Sequence, residues 1–159
     1  MSLKQLSTRL IGACAFAGAL TVAAASASAG QCPADKMGTD VTKPGAMAPK
    51  DVTDTVLASI DLAKEPAKID GRQLRLRRLE IQPGGIVPWH GHGDRPAIIY
   101  VVKGEVTEYA SNCAVPIVHK AGETTAEAHE TSHWWKNTGK TTVVLLSADL
   151  LHDTSDKNM

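Results

Sequence analysis

The chain has 159 residues and no formal net charge, which excludes the long-range attraction to nucleic acid or to an anionic membrane surface that a basic protein would have. Hydrophobic residues make up 43% and aromatics only 4%. One domain with one core is expected at this length, and that core has to be built from Val, Leu and Ile.

In chain order, residues 1–29 read as a secretory signal peptide. Lys4 and Arg9 form a basic start, Leu10 to Ala25 an uncharged apolar run, and Ala27-Ser28-Ala29 supplies small residues at cleavage spacing. The run is short and weakly hydrophobic for a lasting span. Cleavage after Ala29, no stable membrane anchor after processing, and a periplasmic or secreted location follow. Ile11-Gly12-Ala13-Cys14 has the look of a lipoprotein cleavage box, but too little apolar sequence precedes it for lipidation to be expected. Removing this segment leaves Cys32 and Cys113 where disulfides persist. A bridge between them is predicted, pinning an extended arm to the turn around Ser111-Asn112; two free thiols are the alternative.

Residues 30–54, rich in Pro, Gly, Lys and Asp, read as an extended arm or linker. Residues 55–152 read as an all-β barrel and 153–159 as a tail. Nine short β-like runs are expected at Val56 to Leu62, Gln73 to Ile81, Ile86 to His92, Ala97 to Val102, Glu105 to Tyr109, Val115 to His119, Thr124 to Ala128, Ser132 to Asn137 and Thr141 to Leu150. Pro83-Gly84-Gly85, Lys103-Gly104-Glu105, Ala121-Gly122-Glu123 and Asn137-Thr138-Gly139 stand between runs where hairpins need turns, so a meander is expected.

His90 and His92 stand two apart in a β-run, so both imidazoles leave one face. Neutral imidazole binds Fe, Mn, Ni, Zn or Cu, and a third ligand from another strand completes a set with open positions. His133 is the leading candidate. Unrelated surface histidines are the alternative reading of the pair taken alone.

The flanking residues resemble the cupin family. A first motif runs Gly84, five residues, His90-Gly91-His92, four residues, the position of the family's metal-binding Glu, six residues, Gly104. A second runs Gly122, five residues, Ala128-His129-Glu130 where the family has Pro-x-Gly, two residues, His133, three residues, Asn137. The resemblance covers residues 84 to 137 and implies a jelly-roll β-barrel with a divalent transition metal held near its middle by His90, His92 and His133. Ala97 occupies the family's Glu position, so the expected set is three histidines without a carboxylate. Asp94 and Glu130 are near in sequence but out of register. Such a set is similar to that of the three-histidine iron dioxygenases of the family, which favours Fe(II); decay of the metal site is the other possibility.

Three neutral imidazoles leave a divalent ion its full charge, so an anionic or chelating small molecule is the expected ligand. An inward arginine would add to this, and Arg72, Arg75, Arg77 and Arg78 are candidates, with Arg77 placed in the pocket. Leu74 and Leu76 have the opposite parity to Leu79 and Ile81, which predicts a bulge near Arg77-Arg78 or a strand buried on both faces; four solvated outer arginines are the plain alternative. Arg95 is expected at the rim. Trp135 shares the inner face with His133 and is a candidate pocket residue, whereas Trp134 faces out, covering the barrel or serving a homodimer interface. His119 and His152 are expected at the surface, and His129 off the site. The functional expectation is a metal-dependent oxidoreductase, similar to the three-histidine dioxygenases, on a small anionic or chelating substrate, with no acid or base assigned beyond the ligands. The alternative is a non-enzymatic binding module.

Overall fold

The computed structural model describes residues 30–152; the readings of residues 1–29 and of the tail at 153–159 fall outside them. After a short 3-10 turn at Ala34–Lys36, the chain forms β1 (Lys50–Asp61), β2 (Gln73–Gly91), β3 (Ala97–Lys103), β4 (Glu105–Ala110), β5 (Ile117–Lys120), β6 (Thr124–Glu127), β7 (Ser132–Lys136) and β8 (Val143–Leu151). The fold is an all-β jelly-roll barrel. No helix among the described residues is long and apolar enough to cross a membrane.

The neighbours run β5-β4-β7-β2-β8-β3-β6, with β1 on β2. This corrects the expected meander. Only β1–β2 and β4–β5 are consecutive strands that pair; the one eight-stranded sheet folds through β2 into two facing sheets, and Gly104 and Gly122 pass the chain from one to the other, since β3 pairs with β6 and β8 while β4 pairs with β5 and β7. Turn chemistry tells where a chain reverses, not which neighbour it then meets.

Pro83-Gly84-Gly85 closes no hairpin either. The runs on both sides of it are one nineteen-residue strand, β2. Its first half, Gln73 to Ile81, lies between β1 and β8, and its second half pairs with β7. The glycines form the corner between the two sheets. Gly84 has φ +78°, and a Cβ on Gly85 would come 2.7 Å from the Asp51 carbonyl. Asn137 secures the corner through Nδ2, which donates to Ile81 O and Thr141 O at 2.8 Å each.

The β2–β8 ladder from Gln73 to Ile81 is regular, so neither the expected bulge nor burial of both faces occurs in it. Instead Arg75 and Arg77 share the inner parity with Leu79 and Ile81, and Leu74 and Leu76 are left outside at 40% and 36% exposure. Leu79, Ile81, Val87, Val101, Val106, Val143 and Leu145 make a mostly aliphatic core with Trp135 set into it. The arm docks on the far sheet. Cys32 and Cys113 form a disulfide with Cα atoms 5.8 Å apart, closing a separation of 81 residues, a constraint that stabilises by about 2 to 4 kcal/mol. Gly38 N donates to Asn112 O at 3.1 Å and Val41 N to Ser111 O at 2.9 Å, which places the arm at the expected turn.

Candidate metal centre

His90 and His133 face each other in the β2–β7 ladder, and Val87 faces Trp135. Three steps along β2 thus oppose two along β7, so β2 carries a bulge at Pro88-Trp89. The bulge changes parity: Val87, His90 and His92 are all buried. The freed amide of Trp89 donates to Ala46 O of the arm at 2.7 Å.

Each of the three imidazoles is oriented by an oxygen acceptor on its Nδ1. His90 donates to Pro88 O and His92 to Arg95 O, both at 2.9 Å, and His133 to Glu108 Oε1 at 2.5 Å. With the proton on Nδ1, each Nε2 carries a lone pair. These three Nε2 atoms stand 2.9, 3.2 and 3.2 Å apart, spacings that nitrogens sharing one ion at about 2.0–2.1 Å can have. Facing lone pairs repel. One proton on His133 Nε2 satisfies a single neighbour at a time, whereas one divalent ion satisfies all three, so the donor set fits a metal.

The charges agree with this. Burial, with the imidazole of His133 adding to it, holds His90 down to about 2 and His92 down to about 4. Burial also opposes charge on His133, but the Glu108 hydrogen bond and the Glu127 carboxylate outweigh it and raise its pKa.

Behind His133 lies a second network that sequence reasoning missed. Burial disfavours charge on Glu108, yet hydrogen bonds from His119 and His133 prevail and hold its carboxyl down to about 2. His119 donates Nε2–H to Glu108 Oε2 at 2.7 Å and stacks on Trp135 with ring centres 4.7 Å apart. It is buried, not at the surface as its lack of a partner pattern suggested. Glu127 comes within 3.5 Å of His133 Nδ1, and burial pushes its carboxyl up to about 7. Trp135 Nε1 stands 3.0 Å from the same Nδ1; with the proton there, this is a contact and not a second hydrogen bond. Period-two parity carried a signal for both missed residues, since Glu108 alternates with Val106 and Ala110, and His119 with Ile117, all buried.

Among the described residues no carboxylate joins the group of His90, His92 and His133 that could hold an ion, although His133 also stands in a second such group with Glu108 and Glu127. Ala97 is buried on β3 opposite Glu127 and Asp149. Asp94 is exposed and tied to Arg72 and His152, and Glu130 is exposed beside His129, so neither replaces the family's Glu. The cavity at the triad has room for about 20 Å³, and Arg77, Trp135 and Ser147 line it with Val87 and Leu145. Arg77 is held by Asp54, by Asp149 at 3.2 Å and by Ser147 Oγ at 3.3 Å, and its Nε has no partner. Arg75 also turns inward, donating to Asp149 at 3.0 and 2.7 Å, and Arg95 is buried 3.9 Å from the same carboxylate, not at the rim. The arginines are tolerated inside because the buried Asp149 and the partly buried Asp54 face them.

The model of the Cupin domain matches residues 77–149, the span that carries both histidine motifs, the corner, Arg77 and Asp149. Residues 77–149 are a cupin domain. This cupin is similar in structure to a recombinant oxalate oxidase in complex with glycolate (26% identity, TM-score 0.51, covering 73% of this chain and 59% of that one). It is also similar to an uncharacterized conserved protein with a double-stranded β-helix domain from Klebsiella pneumoniae subsp. pneumoniae (16% identity, TM-score 0.53, 72% and 87% covered). KdgF from Halomonas sp. is a third such structure (15% identity, TM-score 0.50, 67% and 83% covered). The chain thus spans less than two thirds of the oxalate oxidase's length, and the last two likenesses speak for the fold alone. A search of curated proteins finds no match.

Proposed function

We propose that this cupin is a metal-dependent oxidoreductase of the periplasm or the extracellular space that acts on a small carboxylate or other chelating anion. The observation that carries the reading is the convergence of three lone-pair nitrogens and the Arg77 guanidinium on one cavity. His90, His92 and His133 would hold the ion, with Fe(II) favoured over Mn, Ni, Zn or Cu; when bound, a ferrous ion supplies dioxygen and electron-transfer chemistry. The protein's part is orientation. Glu108 keeps the His133 proton on Nδ1, and Arg77 presents its open Nε to an anion. Trp135 and the aliphatic lining exclude bulk water, which strengthens both interactions. The available space is of the order of one or two waters, so a ligand of few heavy atoms fits. The likeness to an oxalate oxidase holding glycolate supports the same substrate size and charge.

A binding module is the second reading, favoured by the lining itself: beyond the triad and Arg77 no charged side chain borders the cavity, so no further acid or base is at hand. The test is oxygen uptake. Anaerobically iron-loaded protein is mixed with glycolate, oxalate, small thiols and diketones, and oxygen consumption with at least one is expected. Ala97→Glu is expected to weaken anion binding by cancelling charge at the ion. Anion binding without oxygen consumption across the panel, equal in the zinc form, would make the protein a binder.

A further inference from the structure

The far end of the network behind His133 is open. Nε2 of His119 bonds Glu108, and the Nδ1 of that ring is buried with no hydrogen-bond partner. Gly30 stands against it. This glycine is buried and has φ +76°, and a Cβ built on it would lie 3.2 Å from His119 Nδ1 and 3.1 Å from Glu123 Oε2. Its backbone nitrogen donates to Val118 O at 3.1 Å. A ring nitrogen, a carboxylate and a carbonyl thus surround one residue. A peptide N–H serves one acceptor; an α-ammonium has three N–H groups and a positive charge.

We infer that Gly30 is the first residue of the mature chain and that its α-ammonium docks in this site, bound to Val118 O, paired with Glu123 and within reach of His119 Nδ1. The inference rests on reading residues 1–29 as an export signal, with Ala27-Ser28-Ala29 as its cleavage site. A leader peptidase would use one water to hydrolyse the Ala29–Gly30 amide. The C–N bond breaks, the water oxygen goes to the new Ala29 carboxylate, and Gly30 N becomes the ammonium by taking both protons so released. Glycine suits the position, since the backbone is left-handed there and a Cβ would stand within 3.1–3.2 Å of Glu123 and His119. Docking has a consequence for the metal centre. Gly30, Gln31 and Cys32 wall a cavity of about 130 Å³ into which Glu108 and Glu127 look, so the anchored terminus, held two residues later by the disulfide, closes off the water side of the His133 network.

The test uses the full chain exported by its own leader. Intact mass is expected to give a mature protein beginning at Gly30. An α-amine-selective aldehyde at pH 7 is expected to label it about tenfold more slowly in the native state than in urea, because pairing with a carboxylate raises the amine by about one unit from its ordinary 7.7–8.0. Glu123→Gln restores fast labelling. A chain made with Met directly before Gly30 melts lower than the processed one, which serves should Glu123→Gln fold poorly. A chain that is never processed refutes the export reading itself. Processing at another bond refutes the docking site alone, as does labelling equally fast in native and unfolded protein, or protection that survives Glu123→Gln.

Discussion

Two buried polar clusters lie inside this barrel, and they are built on opposite rules. Around Asp149, whose side chain is wholly buried, stand Arg75, Arg77 and Arg95, with Asp54 on the far side of Arg77. There, Arg75 and Arg77 meet aspartate oxygens at hydrogen-bonding distance, so the opposite charges pair within the cluster and only Arg77 turns a free Nε toward the cavity. At the triad, three acceptor nitrogens meet one another, and no arrangement of their own protons satisfies all three. A buried cluster that closes on itself is architecture; one that needs something from outside is a site.

Removing a histidine breaks the comparison most severely. Protein purified without chelator or His-tag is expected to carry close to one transition metal per chain; His90→Ala and His133→Ala should each abolish it, and His129→Ala, on an exposed residue, should not. Metal analysis that finds unchanged content in both of the first two variants would remove the triad as a ligand set. Asp149→Asn attacks the other cluster. It leaves three guanidiniums around a neutral amide and should destabilise the fold by about 3–5 kcal/mol, read from urea midpoints, while the chains that remain folded keep their metal. Metal loss with unchanged stability would reverse the assignment of the two clusters.

The smallest effect concerns Glu127, on the other side of His133. Burial raises its carboxyl from an ordinary 4.5 to about 7, so the folded state prefers the neutral form. Its contribution is fully present below pH 4.5 and is lost as pH rises through about 7. Metal-free wild type should therefore lose about 1–3 kcal/mol against Glu127→Gln between these limits and no more above them. Melting curves across pH that run parallel for the two proteins would contradict it.

The sequence spoke clearly where short-range geometry decides. His90 and His92 two apart, glycines at the turns, and one cysteine in the arm with another at a distant turn pointed to the ligand pair, the strand breaks and the disulfide. It was silent where the deciding partner is remote. Arg75 meets Asp149 across 74 residues, and without that partner a run of arginines reads as a solvated edge. The hairpins were misread for a related reason. Gly84 and Gly104 both have positive φ, as turn glycines do, but one sits within a strand at a corner and the other sends the chain to the opposite sheet. Glu108 and His119 were within reach of the period-two pattern, which set them on the apolar faces of β4 and β5.

The extra residue at Pro88-Trp89 acts as a frame shift in a structure that reads side chains by twos. Upstream of it odd-numbered residues look into the barrel, as Arg77, Leu79, Ile81 and Val87 do, and downstream even-numbered ones, His90 and His92. A residue deleted there would turn both imidazoles to the outside while every motif residue remained in the chain. The spelling of this centre is thus conditional on a length, and the arm, through Ala46 on the Trp89 amide, helps to hold that length in place.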